Sequence, residues 1–425
     1  MIKKLFLYTI VLFSIFSVNN LFAQVDKNGG SLYSIFGLGE LNYSTGSRTE
    51  AMGIMGISLY GDYSNNLNPA SWTRIPNTII DTKFNLESIK STDGTNTAKR
   101  TFANFEGFNL LIPFNTGNGW IFNAGINTYS QMNYDVTLRR SSAGEDYTQS
   151  YSGNGGITRL NIGFSYIIFK YLSFGFQFNY MFGNLNKSDI INFDNTAFFD
   201  TRNSFTNSIA GVNFNGGLIF HGFGKLFKNK KLDNLTVGGF ISMPSKLTSN
   251  LTSKYSLYTG VDSISSAENH LKIPLAFGFG ISNTFADKLV VAADVFMQQW
   301  DNYKIQSADG SEVHPAEVQN NFKAGLGLEY TPSKKYEAPF YQRTSYRLGA
   351  SYLKDYIKLY DKSINSYIFS AGLSLPIGRF NSLDLTFSYK MRGSTSNGLI
   401  KDDVLRLSAA VNIGELWFLR PNEDY

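Results

Sequence analysis

The sequence predicts an all-β fold: a transmembrane antiparallel β-barrel of about fourteen strands, with an N-terminal hatch or plug segment folded into it. Three observations carry this. Apolar and polar residues alternate with a period of two in segment after segment. The connections between those segments alternate between short and long, as in bacterial barrels that have tight turns at one end and longer loops at the other. Finally, 15% of the 425 residues are aromatic while only 17% are charged, against roughly 25% charged in soluble domains. A chain with 36 Phe and 25 Tyr at a formal charge of +5 is not a disordered one. The absence of cysteine excludes thiolate catalysis, disulfides and cysteine-held metal clusters. Three histidines, His221, His270 and His314, leave little material for a histidine metal site or a catalytic triad. No enzymatic activity and no cofactor are expected.

In chain order, the first element is a leader. Lys3 and Lys4 precede a mostly apolar run from Leu5 to Val18, and Ala23 sits where a peptidase would cut. The run is shorter than the approximately 20 residues a spanning helix requires. Residues 1–23 are therefore read as a secretory signal peptide, with the mature chain beginning near Gln24. No later stretch is apolar for long enough to cross a bilayer as a helix. The mean hydropathy of −0.16 still suits a barrel, because a transmembrane strand is only about 9 to 11 residues long and apolar on alternate positions.

Residues 24–77 are punctuated by glycines at 29, 30, 37, 39, 46, 53, 56 and 61 and show no long alternation. A segment this small is marginal alone, and packing inside a barrel would supply the burial it lacks. Residues 78–418 are assigned to the barrel. Leu172, Phe174, Phe176, Phe178, Tyr180 and Phe182 alternate with Ser173, Gly175, Gln177, Asn179 and Met181. Leu275, Phe277, Phe279 and Ile281 alternate with Ala276, Gly278, Gly280 and Ser282. Leu383, Leu385, Phe387, Tyr389 and Met391 oppose Asp384, Thr386, Ser388 and Lys390, and Leu405 to Ile413 repeats the pattern. Similar runs near 79–89, 104–114, 120–130, 158–168, 212–220, 235–243, 290–299, 322–330, 346–352 and 367–375 complete the count. A soluble β-sandwich would also alternate, but the leader, the strand count and the aromatic faces weigh against it.

The tight connections, such as Phe169-Lys170-Tyr171 and Ala286-Asp287-Lys288, share one parity, which would place both termini in the periplasm, with residues 419–425 as a C-terminal tail. Stretches 139–157, 183–211 and 244–272 are read as long loops of the opposite parity. The basic connection holding Lys225, Lys228, Lys230 and Lys231 is read as a solvated turn near anionic headgroups, not as a nucleic-acid site. With the apolar phase facing lipid, the inward positions include Asn123, Gly125, Asn127, Arg159, Asn161, Gly163, Gln177, Asn213, Asn215, Gly278, Gly280, Gly325, Gly327 and Gly372. Charges such as Asp294, Lys323, Glu329, Arg347, Asp384 and Arg406 look dispersed. A lumen lined by small and amide-bearing residues favours a plugged barrel over an open pore, whose constriction would carry rings of charge.

The stretch Asn65-Asn66-Leu67-Asn68-Pro69-Ala70-Ser71, in a glycine-rich segment followed by about fourteen strands, resembles the FadL-type family of outer-membrane transporters for hydrophobic compounds. The ending Asn412-Ile413-Gly414-Glu415-Leu416-Trp417-Phe418 resembles the Bacteroidota versions of that family. The resemblance implies that Asn68, Pro69 and Ala70 mark the hatch and that hydrophobic ligands leave through an opening in the wall. It also implies a Gram-negative outer membrane as the location, with lipid and a hydrophobic small molecule such as a long-chain fatty acid as partners. Two functions follow: hatch-gated passive uptake of such compounds, or a non-enzymatic accessory or docking subunit of a larger outer-membrane secretion or assembly complex.

Overall fold

The computed structural model describes residues 29–415 apart from 44–45, 62–64, 143, 196 and 258–259. The leader at 1–23 and the tail at 419–425 lie outside the described residues. The chain from Thr78 onward closes into one antiparallel barrel of fourteen strands. Its first six are β1 (Thr78–Thr92), β2 (Thr97–Asn115), β3 (Trp120–Ser142), β4 (Glu145–Phe169), β5 (Leu172–Phe193) and β6 (Thr201–Phe220).

The next four are each interrupted once. These are β7 (Thr236–Ser242 and Ser245–Leu257), β8 (Gly260–Ile273 and Ala276–Phe285), β9 (Leu289–Gln298 and Lys304–Ser307) and β10 (Glu312–Val313 and Asn321–Tyr330). Pro244 and Pro274 fall in the breaks of β7 and β8, as expected of a residue that cannot donate to a ladder. The circle is completed by β11 (Ser345–Leu359), β12 (Lys362–Ile377), β13 (Asn381–Arg392) and β14 (Lys401–Glu415), with β14 paired to β1 from Glu415↔Thr78 to Lys401↔Thr92. No helix among the described residues is long and apolar enough to cross a membrane.

The alternation assigned the faces correctly. Phe387, Leu405, Leu407, Phe279 and Ile281 are exposed on the outer surface, while Ser388, Thr386, Gln177 and Asn179 are buried inside. The wall is not level. Strands β3 to β6 have 23, 25, 22 and 20 residues, whereas β13 has 12. At roughly 3.4 Å per residue, a strand of 25 residues far outreaches the apolar band of about 25 Å even when tilted. The stretches read as long loops at 139–157, 183–211 and 244–272 are therefore corrected: most of their residues continue the strands as paired hairpins. At the same end the β11–β12 hairpin closes at Tyr360–Asp361, and a tight turn at the other end closes at Ala286–Asp287, all four residues with φ between 49° and 57°, the backbone of a two-residue hairpin turn.

Every neighbouring pair of strands shares a ladder, and one of these ladders stops early and leaves a seam. Between β2 and β3 the ladder runs only from Asn115↔Trp120 to Gly107↔Asn127. Beyond that point β3 pairs instead with a two-residue strand inside the lumen, Glu40–Leu41, in the register Glu40↔Gln131 and Leu41↔Ser130. Side chains bridge the seam, with Gln131 donating to Asn104 at 2.7 Å and Arg100 to the Asp135 carbonyl at 3.1 Å.

Candidate functional site

Everything described between residues 29 and 77 packs against the inner face of the barrel, and the contacts divide between two unlike walls. The first runs from β9 through β14 to β1 and is charged. A short helix, Ser47–Ala51, lies on it. Arg48 grips Glu329 of β10 through two nitrogens at 2.9 and 2.7 Å, and Arg347 of β11 shares that carboxylate at 2.8 Å. Arg347 also lies 3.3 Å from Asp384 of β13, which accepts a hydrogen bond from the Ser47 hydroxyl at 2.6 Å. Glu50 pairs with Lys83 of β1 at 2.7 Å and with Arg406 of β14 at 3.5 Å, and Arg406 reaches Glu87 of β1 at 2.7 Å. Asp294 of β9 accepts the backbone N–H groups of Met55, Gly56 and Ile57 at 2.9, 2.8 and 3.4 Å.

Further up the wall, Glu40 pairs with Lys390 and, at 3.1 Å, with Arg392; the latter bonds Asp402 at 3.0 Å. The charges that look dispersed along the sequence thus form networks. They are far apart in the chain and meet because β14 closes on β1. Burial alone would raise the Glu50 carboxyl, but Lys83 and Arg406 outweigh it and hold the group below its ordinary value. Glu40 behaves alike: burial opposes ionisation, and Arg392 and Lys390 more than offset it.

The second wall, from β2 to β6, is built of amides. Asn66 donates to Asn109 of β2 at 2.8 Å, and Asn109 and Asn127 exchange bonds at 2.9 and 3.2 Å. Asn127 continues to Asn161 of β4 at 2.8 Å, and Asn161 to Asn123 at 2.5 Å. Such a ladder works because each amide both donates and accepts. The sequence-predicted hatch residues sit here and on neighbouring β7. Asn68 is fully buried, caps the short helix Pro69–Arg74 by accepting from Ala70 N at 3.0 Å, and donates to the Ile57 carbonyl at 2.6 Å. Pro69 opens that helix, where its missing N–H costs nothing.

Glycines make this approach possible: a Cβ on Gly217 would lie 1.8 Å from the Asn68 side-chain oxygen and one on Gly175 2.3 Å from the Pro69 carbonyl carbon. On the charged wall, Gly349 and Gly327 meet Met52 in the same way, at 2.0 and 2.4 Å. The glycines and amides predicted to face inward are thus brought together by the luminal segment.

Sequence reasoning missed an apolar cluster in the upper lumen. There Trp300 and Tyr356, with ring centroids 4.6 Å apart, pack with Leu38, Leu41 and Met132. Trp300 reaches it from the three-residue turn Trp300–Asn302 that interrupts β9, a break in period that alternation alone does not reveal. Two of the three histidines are hydrogen-bonded: His221 lies 2.9 Å from the Tyr60 hydroxyl and His314 2.7 Å from the Tyr303 carbonyl. Burial, and then the Arg74 charge, hold the His221 imidazole down at about 4, so it is neutral at physiological pH.

Among the described residues, two hollows stand out between the luminal segment and the wall. One of about 120 Å³ lies behind the β2–β3 seam and is lined by Glu40, Glu87, Glu106, Lys323, Lys390 and Arg406 among others. The other, of about 60 Å³, is bounded by Met55, Phe240, Phe296 and Arg159 among others.

Solved structures share this architecture. The chain is similar to a Pseudomonas aeruginosa FadL homologue, with a TM-score of 0.60 at 14% identity, covering 88% of this chain and 99% of that one. It is similar to the Ralstonia pickettii toluene transporter TbuX, with a TM-score of 0.58 at 14% identity over 88% and 98%. It is also similar to the P. putida toluene transporter TodX, with a TM-score of 0.57 at 16% identity over 89% and 100%. At such identities the likeness concerns the fold. No curated protein matches the chain. The family model described as BamG matches residues 1–422.

Proposed function

The chain belongs to the BamG family, and from that premise we propose that it is a sealed outer-membrane barrel of a Gram-negative bacterium, both termini periplasmic, serving as a non-enzymatic docking subunit of a larger outer-membrane assembly. The observation that carries this reading is the ion-paired seal. The luminal segment is held to four strands by carboxylate–cation pairs, Arg48 to β10, Glu50 to β1 and β14, and Glu40 to β13, and the hollow behind the seam has charged groups in its lining. An apolar solute would have to desolvate those groups, and buried charges left without partners are costly. The tall hairpins of β3 to β8 supply a broad paired surface beyond the membrane, which suits protein contacts.

Passive uptake of hydrophobic compounds, such as long-chain fatty acids, is the second reading. The hydrocarbon-channel fold and the unpaired seam between β2 and β3 favour it, with Asn68, Pro69 and Ala70 as part of a movable hatch. Native mass spectrometry of the gently solubilised protein, combined with uptake of a labelled fatty acid by a deletion strain, separates the two. A stoichiometric protein partner with unchanged uptake supports docking. A lone barrel carrying lipid, with uptake lost in the deletion strain, supports transport.

A further inference from the structure

Four buried cations of the charged wall have carboxylates in ion-pair contact: Lys83 has Glu50, Arg347 has Glu329, Arg392 has Asp402 and Arg406 has Glu87. Arg159, on the inner face of β4 opposite Asn127, is different. It is 9% exposed, its guanidinium makes no ion pair among the described residues, and its Nε has no hydrogen-bond partner. A guanidinium stays charged at any pH a protein meets, and a buried charge without a counter-charge is strongly disfavoured.

The side chain borders the hollow of about 60 Å³, none of whose lining residues is a carboxylate. Its polar lining includes the Tyr129 and Ser242 hydroxyls and the Gln298 amide, and its apolar lining includes Met55 and Phe240. At roughly 10 to 15 Å³ of such space per water, that volume takes a few waters or one small ion, and it is too small for an acyl chain. One side of the hollow belongs to the luminal segment, through Leu41, Tyr43, Met55 and Leu67, and the other to the barrel.

We propose that Arg159 and this hollow bind one small monovalent anion, a halide or a carboxylate as short as formate, as the missing counter-charge, and that the bound anion strengthens the seating of the luminal segment. Size selects the ligand, and the guanidinium supplies the charge-assisted donors. A ligand that binds the folded state alone raises the unfolding midpoint in a saturable way.

The test uses the full chain in a neutral detergent, comparing sodium bromide, sodium formate and sodium gluconate at equal ionic strength. Bromide and formate are expected to raise the thermal midpoint saturably over gluconate, which is too large to enter, and Arg159→Met is expected to abolish the difference. Equal midpoints in bromide and gluconate, or a shift that survives in Arg159→Met, would overturn the proposal. Should the variant not fold, anomalous scattering from crystals grown in bromide decides. A peak at hydrogen-bond distance from the Arg159 guanidinium supports the site, and a hollow without one overturns it.

Discussion

On the wall formed by β9 to β14 and β1, the luminal segment is held by charge; on the wall formed by β2 to β6, it is held by amides. Each charged contact concentrates its energy in a few groups, so that loss of one partner strands another in a buried site. The amide ladder distributes the load, because Asn66, Asn109, Asn127, Asn161 and Asn123 share donors and acceptors along a chain of bonds. The same element is thus anchored on one side by contacts that fail singly at high cost and on the other by contacts that fail gradually. The glycines beneath it, Gly349 on one wall and Gly175 on the other, allow equally close approach. The difference lies in the polar chemistry and not in the steric fit.

The largest test of that contrast is Glu329→Leu. It leaves Arg48 and Arg347 without the carboxylate that now joins them at 2.7 and 2.8 Å, and the folded barrel should lose about 3 to 5 kcal/mol. The denaturant midpoint at which the gel-shifted folded band disappears measures it. A second test concerns the inner and outer faces on which the comparison rests. Phe387→Arg, on the lipid side, should cost about 2 to 4 kcal/mol if the position lies near the midplane. Ser388→Arg should be milder, because Ser388 borders the hollow lined by Glu40 and Glu87. Equal damage would mean the faces are misassigned.

On the amide wall, Asn66→Ala should cost about 1 to 3 kcal/mol, less than Glu329→Leu in the same assay. An equal loss would erase the contrast between the walls. Acid should produce the smallest effect. Glu50 and Glu40 are held below the ordinary carboxylate value of 4.5. Their stabilisation is therefore complete above that pH and is lost as pH falls through their lower folded values. The contribution of these two carboxylates should be unchanged between pH 7 and pH 5 and begin to weaken near pH 4, with Asn66 contacts unaffected; the protease sensitivity of the luminal segment, compared with that of a Glu50→Gln variant, reports it.

Much of this was legible in the sequence. The alternation at Leu172 to Phe182 and Leu383 to Met391 located strands and faces, because a lipid-facing strand must be apolar on every second residue. The amide lumen was legible too, since Asn123, Asn161 and Gln177 fall in the inward phase. The tall hairpins were not: at Asn184, Asn186 and Ser188 neither face meets lipid, so the apolar signal stops while the strand continues. The ion-pair networks were hidden for another reason. Glu50 and Arg406 stand at opposite ends of the sequence, and only the register between β14 and β1 brings Arg406 opposite Glu87 and near Glu50. The seam between β2 and β3 was equally invisible, because the alternation of one strand does not say where its pairing with a neighbour stops.

The most direct test of the sealed barrel is the single-channel current of the intact chain beside that of a form lacking residues 24–77, each reconstituted in a planar bilayer. The fourteen strands and the β14–β1 closure do not depend on that segment for their ladders. The account predicts a nearly silent intact protein and a large, steady conductance from the deletion form. Indistinguishable currents from two folded, inserted proteins would contradict it.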